Sequence, residues 1–333
     1  MCCAVGIDVV VVGACLPERR RCAASLAEIN VMSLITADQL RGHRDPVVAA
    51  AREAQLGEAV IEFPDGVSLP RVIGALADPE GPTRLVEIIC VVDAAHLIAD
   101  LRGMDTVTEP VGDGPAPVRF TTRARAVCAQ LEYASTVVVV GWRNTADLDV
   151  VLALIAHLGP QARIELDTGV GVVLDRERPY TVDQDRPGWM ALLSDDLSPL
   201  HAHPRVQAFR YEQVRPLHPE RLLATLDAIS GEHYGTVLRS SGFCRLATRP
   251  GVVAQWDHVG TVIAFDPVAV DTADEEVLAI GQDLGIIGVD LDVTALTLAL
   301  DAAALDDGEL LAGPRRWREL RDPLPAWPDP SRR

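Results

Sequence analysis

The C-terminal fold is decided by residues 209–267, which read FRYEQVRPLHPERLLATLDAISGEHYGTVLRSSGFCRLATRPGVVAQWDHVGTVIAFDP. Residues 209–214 have the pattern of a strand. Pro219 suits the first position of a helix, because its ring fixes φ and the N–H that it lacks would be unpaired there. The apolar residues that follow at helical spacing are Leu222, Leu223, Leu226 and Ile229. Strands are then predicted at 236–247, 252–257 and 261–265, which gives the order β-α-β-β.

This stretch resembles the C-terminal domain of the CobW family of P-loop GTPases. The matching segments are RPLHPERL at 215–222, VLR at 237–239 leading to Gly242 and Phe243, LATRP at 246–250, Trp256 and Gly260. Over most of residues 55–325 the resemblance continues in a weaker form. It implies an α/β fold: a doubly wound, mostly parallel sheet of the P-loop GTPase type, followed by an α+β, ferredoxin-like CobW C-terminal domain.

Length and composition agree with two domains. The chain has 333 residues, of which 48% are apolar, and a domain commonly takes about 150 residues. We expect a degenerate GTPase-like domain at 1–170, a linker at 171–204 and the C-terminal domain at 205–333. The net charge of −18 disfavours a broad nucleic-acid-binding face and suits a protein partner better.

The seven cysteines are widely spaced, so they do not suggest a disulfide scaffold. The apolar run at 7–12 is too short to span a membrane, and no cleavable signal layout is present. A reducing cytoplasm is therefore the expected location, with no membrane partner.

The run at 7–12 predicts a buried parallel strand, and a helix is predicted over 17–28. This is where a P-loop GTPase carries GxxxxGK[ST], whose backbone N–H groups and lysine bind phosphates and whose hydroxyl holds Mg²⁺. The corresponding residues 13–20 read GACLPERR, so Gly13 alone matches.

Each change in this motif removes a phosphate or magnesium contact. Pro17 lacks an N–H, Glu18 places a carboxylate where the second glycine should be, and Arg20 replaces the hydroxyl. Arg19 could supply a charge in place of lysine, although its planar fork is not equivalent to an ammonium. The sequence therefore predicts a degenerate phosphate loop, and the alternative reading is an ordinary strand-turn-helix.

Two further positions resemble nucleotide-site residues of the family. Glu62 ends a predicted strand at 58–63 and, with Gly66 and Pro70, resembles the family segment VIETTG…P. Asp93 ends the strand at 84–92 in a VVDA segment, where an active member has a carboxylate near the catalytic water or switch. The alternative role of Asp93 is that of a helix N-cap.

The guanine-recognition motif [NT]KxD would follow the predicted strand at 136–140. Asn144 and Asp147 match its outer residues, whereas Thr145 replaces the lysine. The simpler interpretation is that Thr145 or Asp147 caps the amphipathic helix that follows. Residues 105–116 are rich in Gly, Pro and acidic residues and are predicted to be a loop.

No metal site is predicted. The CxCC motif of the family is missing, since residues 23–89 contain no cysteine. His201 and His203 could pair with His218, but two histidines on a solvated loop without a cysteine are usually surface residues.

Candidate partner contacts lie in the C-terminal half. They are Arg215, His218 and Trp256 in the opening stretch and Trp317 and Trp327 in the tail. The tail is either a strap packed on the domain or a docking peptide, and packing is favoured because aromatic side chains bury a large area.

These features favour a CobW-like pseudo-GTPase with no catalytic residues and no cofactor. It would bind a protein in metal (zinc) limitation, in the manner of the family branch that recruits a ribosome hibernation factor. That branch carries a similar tail but keeps a CxxC-like pair that is missing here. The alternatives are a divergent GTPase for metal insertion, which would need GTP and Mg²⁺, and a structural relative without activity.

Overall fold

The computed structural model describes residues 6–78, 80–110, 118–169, 171–181, 187–271 and 279–327. The chain divides into two compact units, which are described separately. The first unit comprises residues 1–187 and 198–202, and the second comprises 188–197 and 203–333. No helix in the described residues is long and apolar enough to cross a membrane.

The first unit contains a six-stranded, fully parallel sheet in the order β2-β3-β1-β4-β7-β8. Its strands are β1 (Gly6–Val12), β2 (Ser33–Ile35), β3 (Ala59–Glu62), β4 (Thr83–Asp93), β7 (Thr136–Val140) and β8 (Arg163–Leu166). Strands β3 and β7 are buried along their whole length, as their continuous apolar runs predict. The predicted doubly wound, mostly parallel architecture is confirmed.

Helices connect these strands. They are α1 (Leu16–Asn30), α2 (Ala37–Arg41), α3 (Pro46–Ala54), α4 (Leu69–Leu76), α5 (Leu97–Asp100), α6 (Arg123–Glu132) and α7 (Leu148–Leu158). Asp45 caps α3 as predicted, because its carboxylate accepts from the N–H groups of Val47 and Val48. A capping box between Thr36 and Gln39 starts α2, which the sequence did not predict.

The predicted loop at 105–116 is wrong in part. Residues 106–110 form strand β5 (Thr106–Pro110), which pairs antiparallel with β6 (Val118–Thr122). The β-branched residues of TVTEP and VRFTT favour strands, and this preference outweighs the loop signal of the neighbouring Gly and Pro residues. Residues 111–117 lie outside the described part of the chain.

The second unit is an antiparallel five-stranded sheet in the order β12-β11-β10-β13-β9. Its strands are β9 (Val206–Gln213), β10 (Thr236–Cys244), β11 (Val252–Val259), β12 (Val262–Val270) and β13 (Gln282–Val289). Helices α9 (Pro219–Ser230) and α10 (Val293–Ala303) cover one face and bury Leu222, Leu226, Leu296 and Leu300 in a common core. This arrangement is the predicted α+β class.

The other face of that sheet contacts α8 (Gly188–Leu193), a helix within the segment predicted as a linker. Gly285 permits the contact, since a Cβ there would lie 2.8 Å from the carbonyl oxygen of Trp189. A last helix, α11 (Asp307–Trp317), begins at a capping box between Asp306 and Glu309.

Candidate functional site

The connection between β1 and α1 is too short to form a phosphate loop. The strand ends at Val12 and the helix begins at Leu16, so five of the eight motif positions lie inside the helix. Pro17 has no N–H, and the N–H of Arg19 is already bonded to the carbonyl of Cys15 at 2.9 Å. Few free backbone donors therefore remain at the end where a P-loop wraps phosphate.

The one matching residue, Gly13, has a packing reason to be glycine. A Cβ at this position would lie 2.3 Å from the carbonyl oxygen of Val91 in the neighbouring strand β4. Close approach of two backbones thus requires glycine here whether or not a ligand binds.

Arg19, at the position of the P-loop lysine, points into the protein and is fully buried. Its Nε donates to Oε1 of Glu62 at 3.1 Å, and its Nη1 donates to the carbonyl of Gly13 at 2.7 Å. Nη1 also bonds the carboxylate of Asp65. We call Arg19, Glu62 and Asp65 the buried ion cluster. It joins the start of α1 to the end of β3 through the protein's own charges.

Glu62 is the centre of this cluster and is also bound from a second side. Its Oε2 accepts from the N–H of Ala37 at 3.3 Å, and Nε of Arg20 lies 3.8 Å from its Oε1. Arg20 further bonds Asp38 at 2.7 Å. Three of the predicted nucleotide-site residues, Gly13, Arg19 and Glu62, therefore meet, and they bind one another.

Glu18 adds negative charge at the start of α1. One of its carboxylate oxygens lies 2.7 Å from Sγ of Cys15, and the other lies 3.2 Å from Nη2 of Arg21. Burial and this bond to Glu18 raise the pKa of Cys15 to about 12. A protonated, inert thiol and a carboxylate thus occupy a position where a phosphate would need donors.

Asp93 makes local contacts at the end of β4. Its Oδ1 accepts from the N–H of Ala95, and its Oδ2 lies 2.9 Å from Nδ1 of His96, which precedes α5. The bond to Asp93 raises the pKa of His96. Gly141 packs against Asp93, because a Cβ there would lie 2.6 Å from its Oδ1. These contacts resemble those of a capping residue, one of the two roles predicted for Asp93.

Asn144 and Asp147 are exposed on the segment after β7. Asn144 ends a short 3₁₀ turn, and Asp147 occupies the N-cap position of α7 without a side-chain cap bond. Trp142 fixes this segment by donating from Nε1 to the carbonyl of Asp167 at 2.9 Å. Arg143 stacks on the Trp142 ring at 4.5 Å. Within the described residues, neither predicted base-binding residue contacts the buried ion cluster.

A cavity of about 280 Å³ lies beside α1 at the carboxyl ends of β7 and β8. Apolar residues, including Cys22, Val138 and Val140, form part of its wall. The charged groups on it are Glu18, Arg21, Glu165 and Asp167. Three carboxylates against one guanidinium disfavour a phosphate group in this cavity.

The second unit uses the RPLHPER segment to join its own elements. Arg215 donates to the carbonyl of Leu305 at 3.1 Å and to Asp307 at 2.5 Å. Arg221 binds both carboxylate oxygens of Glu309, at 2.6 and 2.9 Å. His218 is buried at the N-cap position of α9. Arg215 and Arg221 thus join the segment between β9 and α9 to the segment after α10, whereas His218, also predicted as a partner contact, bonds the carbonyl of Ala303 through its backbone N–H at 2.8 Å.

Trp256, the third predicted partner contact in this stretch, lies in the core with 1% of its surface exposed. Its Nε1 donates to Oγ of Ser240 at 2.8 Å, and its ring meets Phe265 edge to face at 5.2 Å. A side chain buried in this way cannot reach a partner directly. The reason is its inward position on β11, which alternation along the strand determines.

The tail packs as a strap on the second unit. Asp322 accepts from Thr248 at 2.6 Å and from Arg249 at 2.9 Å. Leu324 is buried, and Trp327 packs against the core with the Arg249 guanidinium 4.3 Å above its ring. Trp317 donates to the carbonyl of Glu309 at 2.7 Å. Trp327 thus has the favoured role, packing, whereas the bond of Trp317 lies within its own helix, α11.

Sequence reasoning missed several residues of these networks. Asp65 bonds Arg19, and Asp38 bonds Arg20, but neither aspartate belongs to a motif. Only the presence of a carboxylate near a buried arginine could have identified them. The chain also contains no lysine, because all 30 basic residues are arginines. The described residues hold no group of three or more His, Cys, Asp or Glu that could bind a metal ion.

Comparison with known proteins supports the resemblance of the C-terminal stretch. Residues 206–304 match the cobalamin synthesis protein cobW C-terminal domain. The chain is 26% identical over 197 residues to zinc-regulated GTPase metalloprotein activator 1 of Dictyostelium discoideum, across 51% of this chain and 41% of that protein.

The zinc chaperone Rv0106 of Mycobacterium tuberculosis (strain ATCC 25618 / H37Rv) is 26% identical over 282 residues, across 75% of this chain and 65% of that protein. The chain thus spans 41% to 65% of the length of these curated relatives. Among solved structures, Zn(II)-bound YjiA GTPase from E. coli aligns over 90% of this chain and 99% of that chain, at 10% identity and a TM-score of 0.36.

Proposed function

We propose that this chain is a pseudo-GTPase that binds a protein partner in zinc limitation. Its residues 206–304 match the CobW C-terminal domain. The chain acts without nucleotide. Its partner is a ribosome hibernation factor or the ribosome to which that factor is recruited, and the reducing cytoplasm is the expected setting.

The buried ion cluster is the observation that carries the proposal. Nucleotide binding at the start of α1 would require the phosphates to displace Arg19 from Glu62 and Asp65. Breaking a buried ion pair costs about 3–5 kcal/mol, since it leaves uncompensated charge in the interior. The carboxylates of Glu62, Asp65 and Glu18 would then face the phosphates. A phosphate group therefore gains little here and loses a stabilising network.

The link to zinc rests on the relatives, which are named as a zinc-regulated activator and a zinc chaperone. A protein partner is supported by the acidic surface, with a net charge of −18, because opposite charge speeds association with a basic protein.

A nucleotide titration tests the proposal. The thermal unfolding midpoint is measured with GTP, GDP and ATP in the presence of Mg²⁺, and we expect no shift. Ligand at 100 times Kd would stabilise a binding protein by about 2.7 kcal/mol, so a midpoint that rises with nucleotide concentration would contradict the pseudo-GTPase role. A variant with P17N, E18G, R19K and R20S, which restores the motif residues, shows whether these four positions alone account for the lost binding.

The second candidate is a divergent GTP-binding protein for metal insertion. Its support is the position, not the charge, of the cavity of about 280 Å³. It lies at the carboxyl ends of parallel strands, where α/β proteins commonly bind ligands. In this case the same titration gives a nucleotide-dependent shift. An E165Q/D167N variant, which removes two carboxylates from the wall, would then change the affinity.

The partner is tested separately by affinity capture from zinc-starved and zinc-replete cells. We expect hibernation or ribosomal proteins to be enriched from starved cells only. Equal recovery in both conditions, or recovery of neither class, would contradict the recruitment role.

A further inference from the structure

An open groove of about 730 Å³ crosses the surface of the second unit. One wall is the end of β9 and the start of α9, with Gln213, Arg215 and Arg221. The other wall is the end of α10 and the turn that follows, with Asp301, Leu305 and Asp306, among others. The groove belongs to the second unit.

The groove is lined by two guanidiniums and two carboxylates, and the acidic partners of the two arginines lie beside it. Arg215 and Arg221 are paired with Asp307 and Glu309, at 2.5 and 2.6 Å. Asp301 accepts only from neutral donors among the described residues, the hydroxyl of Tyr211 at 3.1 Å and the amide of Gln213 at 3.0 Å.

Asp306 caps α11 by accepting from the N–H of Glu309 at 2.8 Å. No described cationic side chain forms an ion pair with Asp301 or Asp306. Asp301 and Asp306 are thus the two groove carboxylates that form no ion pair within the described residues, although the charge of Arg221 also acts on Asp306.

Beside the carboxylates, α10 presents an apolar side chain to solvent. Leu298, Asp301 and Ala302 are spaced i, i+3 and i+4, so they share one face of the helix. This face is exposed, with 64% of Leu298 accessible, whereas Leu296 and Leu300 are buried on the opposite side. An exposed leucine one turn from an uncompensated carboxylate is the pattern of a contact surface with a charged rim.

We propose that this α10 face and groove form a docking surface for a basic, amphipathic segment of a partner protein. An apolar residue of the segment packs on Leu298, and a Lys or Arg of the segment pairs with Asp301 and Asp306. This proposal deepens the proposed function and rests on it, because it specifies the chemistry of the protein partner. Charge complementarity selects the occupant. A second copy of this chain, with a net charge of −18, would be repelled.

The test measures binding of a short fluorescein-labelled synthetic helix made of leucine and lysine, with its leucines on one face. A helix of the same design with glutamate in place of lysine serves as the charge control. The protein is the full chain without nucleotide. We expect saturable binding of the lysine helix, and L298S/D301N should weaken it about tenfold, or about 1.4 kcal/mol.

The matched control is V270S/D266N on β12, which removes the same charge and an exposed apolar side chain far along the sheet order. This variant should change the affinity less than about twofold. Equal loss in both variants would show that the helix binds the acidic surface in general and would overturn the proposal. Asn at 301 can still accept the Tyr211 and Gln213 bonds, and the unfolding midpoint of each variant checks that it folds.

Carbodiimide coupling locates the contact. Because the chain has no lysine, its carboxylates can couple within the chain only to the terminal amine, and other isopeptide products report the bound helix. We expect mass spectrometry to find Asp301 or Asp306 in these products. Coupling confined to other carboxylates, or a concentration-dependent dimer in sedimentation that the lysine helix does not dissociate, would overturn the proposal. Neither result depends on nucleotide, so a failed docking surface is distinguishable from a failed pseudo-GTPase role.

Discussion

The two units differ in how completely they match the motifs of the family that the sequence resembles. In the first unit, residues 13–20 match the P-loop motif only at Gly13, and Arg19 forms internal ion pairs at the position of the motif lysine. In the second unit, the RPLHPER segment is intact, and its arginines bind Leu305, Asp307 and Glu309. Residues whose contacts are all to a ligand can change once the ligand is no longer bound. Residues that hold the fold together cannot change without cost.

The comparison also bears on Gly13, the one residue of its segment that matches the P-loop motif. Its backbone lies against Val91, so a side chain would collide with β4 whatever the site binds. Gly13 therefore belongs with the structural residues of the second unit. In either unit, a residue with contacts to the protein itself is constrained differently from a residue whose contacts are only to a ligand.

The largest expected effect comes from Arg19→Met. This change leaves the buried Glu62 with only Arg20, at 3.8 Å, and removes the cation paired with the partly exposed Asp65. It should lower the free energy of unfolding by about 3–5 kcal/mol. Denaturant unfolding of the full chain measures it. If the cluster instead marks a ligand site without structural value, the free energy of unfolding will hardly change and the comparison fails.

Arg20→Met is the matched control for Arg19→Met. Arg20 follows Arg19 in α1 and also faces Glu62, but 45% of its side chain is exposed and its pair with Asp38 is at the surface. Its loss should cost less than about 1 kcal/mol. A cost as large as that of Arg19→Met would show that the whole positive cluster, rather than its buried member, holds the site together.

The next effect concerns Asp8, which lies buried in β1 with no hydrogen-bond partner for its carboxylate among the described residues. Burial, with a smaller contribution from Glu58, raises its pKa to about 7. The folded protein thus holds a proton that the unfolded chain releases near pH 4. The free energy of unfolding should therefore fall by about 1.4 kcal/mol per pH unit as the pH rises from about 4 to about 7.

Asp8→Asn should flatten the dependence that Asp8 produces. Unfolding free energies at several pH values, for the wild type and the variant, measure the difference. If the two curves are parallel, Asp8 is ionised in the folded protein and has a partner. Asp8 would then not be a buried polar group without a hydrogen bond.

The sequence predicted the strands of the first unit, because continuous apolar runs such as VVVV and TVVVV leave few alternatives, but not their order in the sheet. The loss of phosphate contacts stays a prediction, which rests on the chemistry of Pro17 and Glu18. It did not predict Asp65 as the partner of Arg19, because the two are 46 residues apart and no period connects them. Trp256 was predicted to be a partner contact because it belongs to the motif series of the C-terminal stretch. Which face of the sheet its side chain occupies depends on the register of β11, which the motif does not give.

A smaller effect is expected from Arg249→Met in the second unit. The change removes the bond to Asp322, two bonds to the carbonyls of Leu324 and Pro325, and the stacking on Trp327. We expect a loss of about 1.5–3 kcal/mol, the range for hydrogen bonds to charged groups. Hydrogen exchange should become faster over residues 322–327, and Arg321→Met, at an exposed position, should leave it unchanged. Unchanged exchange in R249M would show that the strap is held by Leu324 and Trp327 alone.

The smallest effect tests whether the charge of the Arg221–Glu309 pair contributes to stability. The bond from Arg221, followed by other contacts, lowers the pKa of Glu309 to about 2. A lowered pKa contributes stability above about pH 4.5, and that stability disappears as pH falls through about 2. Glu309→Gln keeps an oxygen for the N–H of Asp306 but loses the charge, so it should cost about 1 kcal/mol at neutral pH and nothing near pH 2.

Glu319→Gln, which removes an exposed i,i+3 pair with Arg316 at 2.6 Å, is the control for Glu309→Gln and should have a smaller effect. If both variants behave alike, the Arg221–Glu309 pair is an ordinary surface contact. The arginine of the motif would then need another reason to be kept. The other reason that this surface offers is the groove that Arg221 lines. The second unit would then itself contain both structural and ligand-binding residues in one motif.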